Sequence, residues 1–274
     1  MSLAYKRFDD AGAASSYLNG EAQARLLGGG TLLMRRVNEG DTTISTLVRL
    51  VDPSLRRIEA SGATVTLGAA ATMAGILADP DLAFLAPAAR LVGGPAVRAA
   101  ATVGGNLFAT RPYGDFGVAL LALDATVHLA RAGGEATEQA LDDLFKARGD
   151  LPPGTVVTAV SFPRPRPDTF RFLKVSRVKP KGAAVVTLAA VIEVTDDACV
   201  SRARVAFGAM AETPVRARAF EAALQGRPLA AEAIEAALPA ALEGIAPESD
   251  AVASGWYRRT VLPVHLRRLL LSRS

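Results

Sequence analysis

Apolar and polar positions follow two periods along the chain, and the elements they predict fall into two unlike halves. Residues 5–8 read as a strand, 11–18 as a helix and 25–27 as a short strand that runs straight into Gly28, Gly29 and Gly30. Val65 and Leu67 alternate with polar or small neighbours in a second β-rich stretch, and Thr72 is placed to cap a short helix ending before Pro80. Residues 82–91 read as a helix stopped by Gly93, Gly94 and Pro95. Residues 115–123 read as a further helix and 126–129 as a strand.

Pro163, Pro165 and Pro167, interleaved with Arg164 and Arg166, cannot continue a central strand, and they predict a boundary between two domains, 1–165 and 166–274. Beyond them residues 170–177, 183–194 and 199–210 read as three antiparallel strands, with Asp196 and Asp197 in the last turn. On the third strand Cys199, Ala203, Val205 and Phe207 share one face while Arg202 and Arg204 share the other. Helices over about 214–224, 230–242 and 257–271 close the chain. Strands followed by helices indicate an α+β fold rather than a doubly wound sheet.

Composition narrows the chemistry. Half of the 274 residues are apolar, enough for a sizeable core. The longest apolar runs, 118–130 and 183–194, are too short to span a bilayer, and Asp124 and His128 interrupt the first. No apolar run of secretory type follows Lys6 and Arg7, so a cytoplasmic location is expected. The net charge of +4 is dispersed, without the clustered cations and interleaved aromatics of a nucleic-acid groove. Cys199 is the single cysteine, so this chain can house neither a disulfide nor a cluster needing four thiolates. His128 and His265 show no ligand spacing, and no metal site is expected. Any electron handling here needs an organic cofactor.

Two glycine-bearing turns are the candidates for holding one: Gly28-Gly29-Gly30-Thr31-Leu32, and Thr102-Val103-Gly104-Gly105-Asn106. Glycine permits tight turns and close approach of an anion to backbone N–H groups. Neither turn is a standard nucleotide motif. A Rossmann fingerprint starting at Gly28 has Leu33 where glycine or alanine belongs, and no Gly-Lys-Ser/Thr of a P-loop occurs.

These residues carry a resemblance. ARLLGGGTLLMRR (24–36), RAAATVGGNLFATRPYGDFGVALLALD (98–124) and FLKVSRVKPKGAAVVTLA (172–189) resemble the signature regions of the FAD-binding medium subunits of molybdenum hydroxylases, the xanthine dehydrogenase and carbon monoxide dehydrogenase family. VAFGAMAETPVR (205–216) and YRRTVLPVHLRR (257–268) resemble that family's C-terminal domain. The most specific part is the TVGGN turn with Asp115 nine residues beyond Asn106.

The resemblance implies a two-subdomain FAD domain of the vanillyl-alcohol-oxidase-like type, about 1–55 and 56–165. A C-terminal domain of a three-stranded antiparallel sheet plus a helix bundle follows it. It implies that Leu26, Leu27, Gly28, Gly29, Gly30, Thr31, Leu32 and Leu33, with Thr102, Val103, Gly104, Gly105 and Asn106, hold the pyrophosphate. Asp115 then contacts the adenosine or ribityl side, Val92 and Leu151 are apolar lining, and Lys174 is a cation near the isoalloxazine. No catalytic residue is implied. The expected partners are a large molybdopterin-binding subunit and a small subunit with 2Fe–2S clusters. The chain would pass electrons from those clusters through FAD to an external acceptor. Arg111-Pro112-Tyr113-Gly114 departs from the small residues usual before the aspartate, and GGGT stands where relatives carry AGGT or AGGH.

Plainer readings stand beside these. Lys174 suits a solvated strand position, Asp115 an N-cap for the following helix, Cys199 a small core residue and His128 a satisfied, half-buried histidine with no Ser/His/acid arrangement legible around it. Arg258, Arg259, Arg267 and Arg268 suit a solvated helix face or a subunit contact. Two other functions compete: a stand-alone FAD-dependent oxidoreductase, and a fold-retaining binding protein without flavin.

Overall fold

The computed structural model describes residues 3–133, 136–178 and 182–272; residues 179–181 of the third signature stretch lie outside the described residues. The chain opens with β1 (Ala4–Phe8), α1 (Ala11–Gly20), β2 (Ala24–Leu26), α2 (Leu33–Asn38) and β3 (Thr46–Leu50). The three strands form a parallel sheet in the order β1-β3-β2. Asp10 caps α1 by accepting from the Ala13 N–H. β3 is central and buried at four of its five positions, so it lacks the polar alternation that would expose it in the sequence. Register pairs Leu26 with Val48, which sets the glycine run at the C-terminal end of β2, where ligands of open parallel sheets commonly bind.

Next come β4 (Ile58–Glu59), β5 (Thr64–Gly68), α3 (Met73–Ala78), α4 (Ala86–Arg90), α5 (Pro95–Ala100), α6 (Val103–Leu107), α7 (Asp115–Ala122), β6 (Thr126–Ala130), β7 (Thr137–Ala140), α8 (Leu141–Lys146) and β8 (Val156–Pro163). Their strands form a five-stranded antiparallel sheet, β4-β5-β8-β6-β7. The helix expected over 82–91 divides into a 3₁₀ turn, Pro80–Leu85, and α4. Leu82 leaves helical geometry (φ −104°, ψ 15°), and Pro87 suits only the first turn of a helix. The central strand β8 escapes the alternation test because both of its faces are covered at its start: Val156 packs into the core under α1 and β3, and Val157 into the core shared with α7.

The remaining elements are β9 (Phe170–Ser176), β10 (Ala184–Val194), β11 (Val200–Gly208), β12 (Val215–Arg216), α9 (Arg218–Leu224), α10 (Ala231–Ala237) and α11 (Gly255–Leu271). Their sheet has four strands, β12-β11-β10-β9, where three were expected. The added strand comes from residues read as the start of a helix. Val215 pairs with Phe207 and Arg216 with Ala206, while the Arg216 guanidinium is held by Glu221 at 2.8 Å and Asp124 at 3.2 Å. Helix formation therefore waits until Arg218.

One face of β10, with Val186, Leu188, Ala190 and Ile192, packs into a core shared with α9, α10 and α11. The other, with Ala189 and Val191, shares a core with α7. All eight residues of α7 are buried between the two sheets, which is why its sequence is apolar all round. Its first residue, Asp115, is thereby carried into the interior. Among the described residues no helix is long and apolar enough to cross a membrane.

Candidate functional site

The first glycine loop is shaped by what lies beneath it. A Cβ on Gly29 would stand 1.8 Å from the Ala100 carbonyl oxygen, and one on Gly28 would stand 3.1 Å from Thr102 Oγ1. Gly30 has φ +74°, a left-handed conformation that glycine adopts without strain. Leu27 donates its N–H to Val48 at 2.7 Å. After it, the N–H groups of Gly28, Gly29, Gly30 and Thr31 meet no internal acceptor among the described residues. Four consecutive unspent donors suit an anion. Leu26 ends β2, Leu32 precedes α2 and Leu33 begins it.

The second turn lies against the first but is built differently. Thr102 is the N-cap of α6, so TVGGN is a helix start rather than an open bend. Val103 donates to Ala71 at 2.9 Å, Gly104 to Ala69 at 2.8 Å, Gly105 to Thr102 Oγ1 at 3.1 Å and Asn106 to Thr102 at 3.1 Å. The Asn106 side-chain amide also donates to the Thr102 carbonyl, at 2.9 Å. These backbone donors are spent on the chain itself. A Cβ on Gly104 would come within 3.1 Å of the Ala69 Cβ, so close packing explains that glycine. What this turn presents to the first loop is the Thr102 hydroxyl and the backbone leading to it.

Where the loops meet, a cavity of about 360 Å³ opens, lined among others by Gly28, Gly29, Thr72, Thr102, Arg49 and Arg56. Arg49, on β3, donates to the Leu27 carbonyl at 3.1 Å and to the Gly28 carbonyl, bracing the loop. Neither arginine stands out in the sequence: Arg49 lies on an unpredicted strand and Arg56 in the 3₁₀ turn Pro53–Arg56. The residues present fit a dinucleotide phosphate, with a glycine cradle that a side chain would fill, unspent N–H groups and cationic walls.

Asp115 and Lys174 lie elsewhere, and together. Lys174 Nζ is 2.7 Å from Asp115 Oδ2 and 3.2 Å from the Leu91 carbonyl oxygen, while the Thr187 hydroxyl donates to Asp115 Oδ1. The two charged side chains are only 5% and 6% exposed, so the solvated-lysine reading fails. The N-cap reading of Asp115 is also replaced. Gly114 occupies the cap position, and Asp115 is the first helical residue, where its charge is favoured by the helix dipole. Val92 follows Leu91 and, like Leu151, packs half-buried on the first core; neither lines the large cavity. The sequence-predicted residues thus form two groups, joined by α6 and the segment 108–114.

His128 acquires partners the sequence did not disclose. Its Nδ1 lies 3.0 Å from Glu138 Oε1 and its Nε2 2.8 Å from Ser161 Oγ. The three span β7, β6 and β8 as a cross-strand polar ladder, with the Glu138 side chain 65% exposed and all three outside the cavity lining.

The family model described as the FAD binding domain in molybdopterin dehydrogenase matches residues 2–165, and that of the CO dehydrogenase flavoprotein C-terminal domain matches residues 171–272. The glyceraldehyde dehydrogenase medium chain of Sulfolobus acidocaldarius is 28% identical over 273 residues, 96% of this chain and 95% of that protein. A nicotinate hydroxylase of Emericella nidulans is 34% identical over 143 residues, which are 50% of this chain but only 10% of that protein. In the solved structure of reconstituted CO dehydrogenase from Oligotropha carboxidovorans, one chain superposes with a TM-score of 0.90 at 27% identity, covering 100% of this chain and 98% of that one. The chain belongs to the flavoprotein family of molybdopterin dehydrogenases, in which an FAD binding domain is followed by a CO dehydrogenase flavoprotein C-terminal domain.

Proposed function

We propose that this chain binds FAD noncovalently and serves as the medium subunit of a molybdenum hydroxylase-type complex. In that complex it accepts electrons from 2Fe–2S clusters on a small subunit, which are fed by a molybdopterin centre on a large one, and hands them to an external acceptor. The observation that carries the reading is the run of four unspent N–H groups, Gly28 to Thr31, pressed against Thr102 beside a cation-walled cavity. The two family matches support it. So does the likeness to a medium chain of a dehydrogenase and to a chain of CO dehydrogenase.

FAD supplies a redox centre able to exchange electrons singly or in pairs. The protein's part is to bind and orient it. The first glycine loop offers backbone donors to the diphosphate, and Thr102 fixes the loop's position. The buried Asp115, Lys174 and Thr187 network ties the start of α7 to β9 and β10. Because Asp115 neutralises Lys174, the pair presents oriented dipoles rather than a free positive charge. Val92 and Leu151 supply apolar surface. Residues 1–165 would then be the flavin-carrying part and 166–274 the part that is fastened to it through the contacts of Lys174 and Thr187 with Asp115.

Mixing the flavin-loaded chain with a chemically reduced iron–sulfur subunit tests the relay. Rapid bleaching of the flavin absorption is expected. No bleaching by that subunit, or turnover of a small substrate by the chain alone, overturns the subunit reading.

A further inference from the structure

The outer face of the five-stranded sheet carries a row of groups that the flavin reading does not use. Glu138 on β7, His128 on β6 and Ser161 on β8 stand side by side, with Glu138 Oε1 3.0 Å from His128 Nδ1 and Ser161 Oγ 2.8 Å from His128 Nε2. Strand register places Glu138 directly opposite His128, and Ser161 diagonally from it, opposite Thr126. The neighbours Val127, Leu129, Val160 and Phe162 are buried in the core, so the three polar side chains share the other face.

The row has a chemical direction. A carboxylate only accepts hydrogen bonds, so with Glu138 at Nδ1 the imidazole proton sits on that nitrogen, and Nε2 of neutral His128 is left as an acceptor. The Ser161 hydroxyl therefore donates to Nε2, which is the arrangement in which a general base takes the proton of a nucleophile. The serine is flanked as well. Thr66 on β5 and Thr126 on β6 are its direct cross-strand neighbours on the same face, and neither hydroxyl has a partner among the described residues. They offer two donors beside the place where an attacked carbonyl oxygen gathers charge.

Exposure sets the class of substrate. The His128 side chain is 28% exposed and that of Glu138 65%, so a small molecule reaches the row from solvent. An open sheet face contributes little binding energy, and the leaving group has to be a good one. An activated ester meets that condition and an amide does not.

We propose that Ser161 is an activated nucleophile that accepts acyl groups from small activated esters, with His128 as its general base and Glu138 as the positioning residue that fixes the tautomer and orientation of the imidazole. Ser161 Oγ bonds to the ester carbonyl carbon as its proton passes to His128 Nε2. The bond from that carbon to the alcohol oxygen then breaks, and the proton leaves with the alcohol. The products are an acyl-serine and a free alcohol. The step moves an acyl group and no electrons, so it stands independently of the flavin reading.

Time-resolved mass spectrometry of the full chain in p-nitrophenyl acetate, with the modified peptide mapped, tests the assignment. One acetyl group per chain on Ser161, arriving before any lysine is modified, is the expected result. Ser161→Ala should abolish this early acetylation, and His128→Gln should slow it about a hundredfold. Glu138→Gln should slow it about tenfold, a smaller loss than for a buried triad acid because the carboxylate is exposed, and Glu138→Asp should restore part of the rate. The variants are compared where circular dichroism shows each as folded as wild type. Acetyl groups on lysines alone overturn the proposal. So does acetylation of Ser161 at the wild-type rate in both His128→Gln and Glu138→Gln, which would make the row a structural ladder with an ordinary hydroxyl.

Discussion

Lys174 and Asp115 form an ion pair at 2.7 Å, closed off from solvent between the two sheets although 59 residues of sequence separate them. Removing one member of a buried pair strands the other charge. Lys174→Met should therefore destabilise the chain by about 3–5 kcal/mol, whereas Asp115→Asn combined with Lys174→Met should lose markedly less than the sum of the singles. Denaturant unfolding of the singles and the double measures the coupling. Additive losses would show that the pair is not coupled as the geometry requires.

The glycine loop makes a graded prediction. An alanine at Gly29 meets a backbone carbonyl at 1.8 Å and forces the loop away from α5, while one at Gly28 meets the Thr102 hydroxyl at 3.1 Å, which a small shift relieves. Gly29→Ala should cost about 1–3 kcal/mol and lose flavin retention; Gly28→Ala should keep most of both. Flavin content per chain after gel filtration reads the difference, and equal retention by the two variants would refute the packing argument.

A pH dependence follows from His265 on α11. Burial, and then the neighbouring Arg268, hold its pKa below the ordinary value of 6.5. The unfolded chain thus binds a proton that the folded chain resists, and the contribution to stability is complete well above 6.5 and is lost as pH falls from that value through the lowered pKa of the folded state. His265→Gln should be less sensitive than wild type to acidification over that window, with an unchanged difference at higher pH. Parallel thermal-unfolding curves for the two proteins across the window would contradict the assignment.

How much the sequence disclosed depended on whether a feature was local. The run Gly28 to Gly30 was legible as a tight turn because three glycines after a short strand cannot continue it, and α7 was legible from its apolar stretch. TVGGN was legible as a special turn but not as a helix start. That state depends on Ala69 and Ala71 accepting the N–H groups of Gly104 and Val103 from a distant strand end. Arg49 was hidden because β3 is defined by pairing with β1 and β2, not by its own alternation. β12 was hidden for the same reason: two residues become a strand only because β11 lies beside them. The partnership of Asp115 with Lys174 and Thr187 arises from the stacking of α7 on β10, which β9 pairs with edge to edge, and no local pattern encodes it.

The most direct test of the account is to purify the full chain, record its absorption spectrum, and release and identify the bound pigment, adding FAD if the chain emerges colourless. One FAD per chain, released intact by denaturation or taken up by titration, is the predicted result. A properly folded chain that carries no flavin and leaves added FAD in solution would contradict it.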